Sequence, residues 1–300
     1  MDLHFEDIRA KLSPGVQRRM GVIVAQDPHT LEAVAHAVGL CGIVPILYGQ
    51  KELIAPIWEA VGNDAALPEI VECGSEQECV SSAISDVKSG SLDCIMKGHL
   101  ETASLLKAVV KRDTGIRRGE VLSTVAMMES PYYHKMFAVT DVGVITYPTL
   151  RQKKGIIENA VRVFQCLGVE RPKVAVLTAV EKPNEKMPET LDAAALKEMN
   201  RSGELRDCIV EGPISYDLCM DPEAAALKEY HSPVAGDPDI LLVSDIAAGN
   251  ILAKCLTCTG GAKTCGIVCG ALVPIVLTSR AATAEDKFRS IVLSAVVGRQ

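Results

Sequence analysis

Residues 21–48 read GVIVAQDPHTLEAVAHAVGLCGIVPILY, and the order of two periodicities within them decides the fold. Gly21 to Ala25 is a short run of β-branched and small apolar residues. Leu31 to Val38 repeats its apolar positions at the period of an amphipathic helix, and Ile43 to Tyr48 is strand-like again. A strand, a helix and a second strand in this order pair the strands in parallel, because the connection is itself a helix.

The same alternation continues outward. A helix is expected near Glu52 to Val61, a strand at Ile70 to Cys73, a helix near Glu76 to Val87, a strand at Leu92 to Met96 and a helix near Glu101 to Val110. Past Gly119 the rhythm breaks: Val121 to Met127 and Met136 to Thr146 both read as strands, joined by a Pro-Tyr-Tyr-His loop, a pattern that suits antiparallel pairing. After a helical stretch from Leu150 to Leu167, strands are expected at Val174 to Ala179, Cys208 to Val210, Ile240 to Val243, Gly266 to Val268 and Ile275 to Leu277. The last helix, Thr283 to Val297, sets Phe288, Ile291, Val292, Ala295 and Val296 on one face. The expected fold is a two-lobed, three-layer α/β/α protein with mostly parallel sheets. Residues 1–125 plus 275–300 form a first lobe, 126–274 a second, and a ligand site is expected in the cleft between them. No flexible linker separates the lobes, so the join reads as a pair of chain crossings.

Composition narrows the function. The 300 residues are 48% apolar and 23% charged, with only 4% aromatic residues, as suits helices covering an aliphatic parallel sheet. A net charge of -7, from 31 basic and 38 acidic residues, is opposite in sign to what a nucleic acid backbone rewards. The uncharged run Thr264 to Ser279 falls short of the ~20 residues that span a bilayer, so no membrane partner is expected. The N-terminus lacks the pattern of a signal peptide, and cytoplasmic residence is expected. Eleven cysteines are too few for a disulfide scaffold and odd in number, which reads as reduced, mostly buried thiols. Cys255, Cys258, Cys265 and Cys269 have a spacing that invites zinc, but the first pair falls in an expected helix and the second in a strand, so burial is the better account.

In open α/β sheets ligands bind beyond the carboxyl ends of the strands. The polar residues there are Asp27, then Lys97, Gly98 and His99, then Asp245, and then Ser279 and Arg280. Lys97 and Gly98 suit a phosphate at a helix start, although a tight turn beside a solvated lysine explains the same pair. Arg280 offers a planar fork for phosphate or a developing oxyanion, with the Ser279 hydroxyl beside it. Asp286 lies one turn into the next helix, where it also fits a capping box with Thr283. Asp245 reads as a helix start, Gly249 as a site of close backbone approach, and Asn250 as a ligand contact or a local hydrogen bond. His134 reads as a structural histidine, and no G-x-S-x-G elbow supports a hydrolase.

Longer motifs carry a resemblance over most of the chain. MKGHLET (96–102), HKMFAVTDVGV (134–144), PTLRQKKGIIENAV (148–161) and KVAVLTAVEKPNEKMPETLDAAAL (173–196), followed by SPVAGDPDILLVSDIAAGNILAK and GALVPIVLTSRAATAEDKFRSI, are similar to the phosphate acetyltransferase and phosphate butyryltransferase family, nearest its butyryltransferase branch. The resemblance implies reversible acyl transfer between coenzyme A and phosphate, on the fold shared with isopropylmalate and isocitrate dehydrogenases. It implies no metal and no cofactor beyond CoA as substrate, and self-association as a homodimer or larger homo-oligomer. It also implies catalytic roles for Ser279, Arg280 and Asp286, with Glu285 as the alternative carboxylate. Substrate contacts at Lys97, Gly98, Asp245, Gly249 and Asn250 are expected from the places of these residues after the strands. Butyryl is the favoured acyl group and acetyl the alternative. A metal- and NAD-dependent decarboxylating dehydrogenase on the same fold would need an aspartate cluster that the sequence lacks.

Overall fold

A computed structural model describes residues 2–12, 17–62, 65–278 and 282–299. In chain order the first elements are α1 (Phe5–Ala10), β1 (Arg18–Ile23), α2 (Pro28–Cys41), β2 (Ile43–Gly49), α3 (Lys51–Val61), β3 (Glu69–Glu72), α4 (Glu76–Ser89), β4 (Cys94–Lys97) and α5 (Thr102–Val109). Next come β5 (Ser123–Glu129), β6 (Phe137–Thr140), α6 (Leu150–Cys166), β7 (Lys173–Leu177), α7 (Pro188–Arg201), β8 (Ile209–Ile214), α8 (Tyr216–Met220), α9 (Pro222–Leu227), β9 (Ile240–Leu242) and α10 (Ile246–Cys258). The chain finishes with β10 (Lys263–Cys269), β11 (Ile275–Val276) and α11 (Ala284–Val297).

Local chemistry sets many of these bounds. Asp27 caps α2 by accepting the Thr30 N–H at 3.2 Å, and Pro28 fills the first helical turn, where a missing donor is harmless. Gly42 ends the same helix at φ 63°, a left-handed conformation that favours glycine. Ser75 caps α4, and Thr149 with Gln152 forms a reciprocal capping box at the start of α6.

The chain divides into two compact units, Met1–His4 with Glu120–Thr264, and Phe5–Gly119 with Cys265–Gln300. In the second of these, here the outer-sequence unit, the strands run β3-β2-β1-β4-β11-β10. All neighbours are parallel except β10, which meets β11 antiparallel at Val268 and Ile275. Growth from β1 to β3 in one direction, then a return through α4 to β4 on the other flank of β1, puts a topological switch point between β1 and β4. The helices accordingly fall into two packed groups, α1, α2, α3 and α11 in one and α4 with α5 in the other. In the central unit the order is β5-β6-β9-β7-β8, parallel except for the expected antiparallel pair of β5 and β6. Both units are therefore mostly parallel α/β.

The expected joins at 125/126 and 274/275 lie elsewhere than these divisions. The first would cut β5 in mid-strand, and the second would separate β10 from β11, its hairpin partner. β6 also stops at Thr140 instead of running to Thr146, because Asp141 folds the chain around its carboxylate. Its Oδ1 accepts the N–H groups of Thr124 and Gly143 at 3.0 Å and Val144 at 3.2 Å, and its Oδ2 that of Ile145 at 2.8 Å. Burial pushes the Asp141 carboxyl up, against the downward pull of those four donors. Among the described residues no helix is long and apolar enough to cross a membrane.

An ionic knot ties the central sheet together. Lys135, only 5% exposed, reaches Asp237 and Asp239 at 2.7 Å each, while Asp239 also accepts the Lys173 N–H at 2.7 Å. Asp239→Ala leaves Lys135 with Asp237 alone and orphans the Lys173 N–H, so it is expected to lower the unfolding free energy by about 2 kcal/mol, read from the urea midpoint. Burial raises the Asp237 carboxyl, but the Lys135 and Lys173 ammonium groups more than reverse this and hold it at about 2. With the folded value below the unfolded one, its contribution is present above about pH 4 and is lost as pH falls toward 2. Acid titration of the parent protein should show that loss, and Asp237→Asn should flatten it.

Candidate functional site

The outer-sequence unit carries a pocket of about 470 Å³ where β1, β4 and β11 end. Asp27 follows β1; Lys97, Gly98 and His99 close β4; Thr278 follows β11; Lys287 enters from α11, and His29, Thr30, Glu76 and Glu101 add to the polar lining. This is the carboxyl side of the β1/β4 switch point, where ligands of open α/β sheets bind.

Gly98 makes the juxtaposition possible. Its N–H donates to the Ile23 carbonyl at 2.9 Å and the next N–H, of His99, to Val24 at 2.8 Å. A Cβ at Gly98 would lie 2.2 Å from the Val24 oxygen and 2.8 Å from that of Ile23, so only glycine lets the two strand ends meet. Val24 itself sits at φ 55°, a left-handed conformation that is an outlier for a β-branched side chain, and strain of this kind gathers at functional sites. The structure also corrects one expectation: the Gly98 N–H serves the sheet and does not point to an anion. Lys97 bridges back to the carbonyls of Gly98 at 3.2 Å and Leu100 at 2.9 Å while lining the pocket.

At the start of α11, Asp286 is part of a complete capping box. Its Oδ2 accepts from the Thr283 hydroxyl at 2.8 Å and the Thr283 N–H at 3.3 Å, the Asp286 N–H returns to that hydroxyl at 3.1 Å, and Arg289 holds Oδ1 at 3.1 Å. Glu285 also reaches Arg289, at 3.1 Å, and is half exposed. Asp286 does not itself line the pocket, but the next residue does. Ser279 and Arg280 lie outside the described residues, one step beyond Thr278.

The remaining candidates belong to the central unit. Asp245 caps α10 through the N–H groups of Ala247 at 2.9 Å and Ala248 at 3.0 Å. The Ala248 donor, helped by the Ser244 hydroxyl and the Ala247 N–H, holds its carboxyl below the usual carboxylate range despite partial burial. Gly249 is a place of close approach, since a Cβ there would stand 2.7 Å from the Asp141 carbonyl. Asn250 donates to the Val142 carbonyl at 3.3 Å, a partner 108 residues earlier in the chain.

Several buried cysteines are far from activated. Burial pushes Cys79, Cys94 and Cys208 up to about 12, the reverse of what a nucleophile needs. Cys255 and Cys258 are exposed on α10, whereas Cys265 and Cys269 are buried in β10. Among the described residues no group of three or more His, Cys, Asp or Glu side chains is arranged to hold a metal ion.

Lys287 went unnoticed in the sequence, where it reads as one more cation in a polar first turn. The signal was available: it stands four residues before Ile291 and eight before Ala295, on the buried face of its helix.

Comparison with known proteins supplies the family. The model described as "Phosphate acetyl/butaryl transferase" matches residues 25–295. The phosphate acetyltransferase of Thermotoga maritima is 41% identical over 95% of this chain and 97% of its own length. The phosphate butyryltransferase of Clostridium acetobutylicum is 39% identical over 98% and 97%. The crystal structure of a branched-chain phosphotransacylase from Enterococcus faecalis superposes with a TM-score of 0.82 at 32% identity, covering 95% of this chain and all of that one. With matches of this extent in both sequence and fold, the chain belongs to the phosphate acetyl/butyryl transferase family.

Proposed function

We propose that the protein catalyses reversible transfer of a short-chain acyl group, butyryl foremost, between coenzyme A and inorganic phosphate. The observation that carries this reading is the pocket at the ends of β1, β4 and β11. Lys97 lines it, as does Thr278, the residue that precedes Ser279 and Arg280 in the sequence.

In the direction of thioester synthesis the CoA sulfur attacks the carbonyl carbon of the acyl phosphate, and the carbon–oxygen bond to phosphate breaks. A thiol is mostly protonated at neutral pH, so a carboxylate that takes its proton assists the attack. Asp286 is assigned that task, its orientation fixed by Thr283 and Arg289. Charge growing on the carbonyl oxygen is met by the Arg280 fork and the Ser279 hydroxyl, and Lys97 receives the departing phosphate. In reverse, a phosphate oxygen attacks the thioester and the leaving sulfur recovers its proton. Attack is direct, so no acyl-enzyme forms and no cysteine is required. The central-unit residues Asp245, Gly249 and Asn250, which follow β9, are assigned to substrate binding, the protein to the cytoplasm from the character of its N-terminus, and a homodimeric or larger assembly on the family likeness.

The acetyl reading has its own support in the 41% identity to an acetyltransferase. Initial rates over acetyl-, propionyl-, butyryl- and isobutyryl-CoA separate the two, with butyryl-CoA expected to give the highest kcat/KM.

Free thiol released from butyryl-CoA only when phosphate is present is the expected basal result; its absence would remove the proposal. Arg280→Ala is expected to lower kcat by roughly a hundredfold or more without lowering the thermal midpoint. Asp286→Asn should depress kcat and abolish the acidic limb of the pH–rate profile, while Glu285→Gln leaves that limb in place. The opposite pattern moves the proton acceptor to Glu285.

A further inference from the structure

The pocket contains a second lysine whose position the capping and packing of α11 do not explain. Lys287 belongs to the first turn of α11 and its backbone N–H continues the helix by donating to the Thr283 carbonyl at 3.1 Å. Its side chain is only 6% exposed, and the residue lines the pocket. A lysine ammonium has three N–H donors and no acceptor. Among the described residues its only charged neighbour is Asp27 Oδ2, at 3.9 Å, which is outside hydrogen-bond reach, and its side chain makes no hydrogen bond.

Asp27 does not satisfy the cation well. That oxygen already accepts the Thr30 hydroxyl and the Thr30 N–H at the start of α2. Asp27 lowers the electrostatic cost of a charge at this depth while leaving the ammonium donors unfilled, and unfilled charged donors are expensive to bury. An anion in the pocket would fill them. Glu76 and Glu101, the other carboxylates of the lining, are exposed, where water screens them. Lys97 lines the same pocket as Lys287, so two basic residues border the space a phosphoryl group would take.

We propose that Lys287 is a phosphate-binding residue: its ammonium donates to an oxygen of the phosphoryl group that is exchanged, as inorganic phosphate in one direction and acyl phosphate in the other. This rests on the acyl transfer proposed above. The same chemistry would be offered by the phosphates of CoA, and the test separates the two sources.

Lys287→Met keeps the length of the side chain and removes its charge. In the butyryl-CoA assay the KM for phosphate is expected to rise by roughly ten- to a hundredfold, the loss of one charge-assisted hydrogen bond, with the KM for butyryl-CoA unchanged. A merely structural lysine would lower the thermal midpoint when replaced, whereas the Met variant should melt no lower than the parent in chloride buffer. Inorganic phosphate at matched ionic strength should raise the midpoint of the parent and not that of the variant. This shift is read without turnover, so it tests Lys287 even where acyl transfer itself fails. If the Met variant does not fold, the parent protein decides: reductive methylation of Lys287, followed by mass spectrometry, should be slowed by saturating phosphate. An unchanged KM for phosphate, a rise confined to the KM for butyryl-CoA, or methylation indifferent to phosphate would each overturn the proposal.

Discussion

The site depends on one close approach. At the carboxyl end of β1 the carbonyls of Ile23 and Val24 accept N–H groups from Gly98 and His99, at a separation that leaves no room for a Cβ on residue 98. This extends the β1/β4 pairing beyond the register of Ile23 with Lys97, to the point where both strands turn away from the sheet. Since β2 and β3 lie to one side of β1 and β4 and β11 to the other, the chain leaves the two strand ends in opposite directions. The resulting space carries Lys97 on one border, Asp27 on another and Thr278 at its edge. A larger residue at 98 would part the strand ends before any of these groups could converge.

The carboxylates after the strands do structural work that their chemistry alone would not reveal. Asp27, Asp245 and Asp286 all occupy the first turn or cap of the helix that follows, and all accept backbone N–H groups there. A helix N-terminus favours a negative charge and a fixed carboxylate satisfies donors that would otherwise be orphaned. Thr283 and Arg289 hold the Asp286 carboxylate in one orientation, which is what the proton-acceptor role proposed for it requires. Across the pocket Asp27 offsets part of the Lys287 charge and leaves its donors unfilled.

How much of this was legible in the sequence follows from the range of the interactions. The βα units from Gly21 to Val110 emerge at nearly the expected places because each rests on local apolar periodicity and on caps such as Ser75 and Gly42. The antiparallel step at β5 and β6 was readable from the missing helix. The end of β6 was not, since it is set by Asp141 gathering backbone donors, one of them from Thr124 on the neighbouring strand. The short helices α1, α8 and α9 were also missed, being too brief to repeat an apolar period. Lys97 and Gly98, which line the pocket, stand out in the sequence because they follow a strand directly. The true task of Gly98, and the burial of Lys287 beside Asp27, depend on segments that meet only in the folded unit.

The central claim is that the exchanged phosphoryl group sits at the carboxyl ends of β1, β4 and β11. A crystal structure of the protein soaked with butyryl phosphate tests it most directly. The account requires the phosphorus within hydrogen-bonding range of the Lys97 and Lys287 ammonium groups, with the acyl carbonyl turned toward Arg280. A butyryl phosphate bound with its phosphorus away from both lysines, while this pocket holds only water, would contradict it.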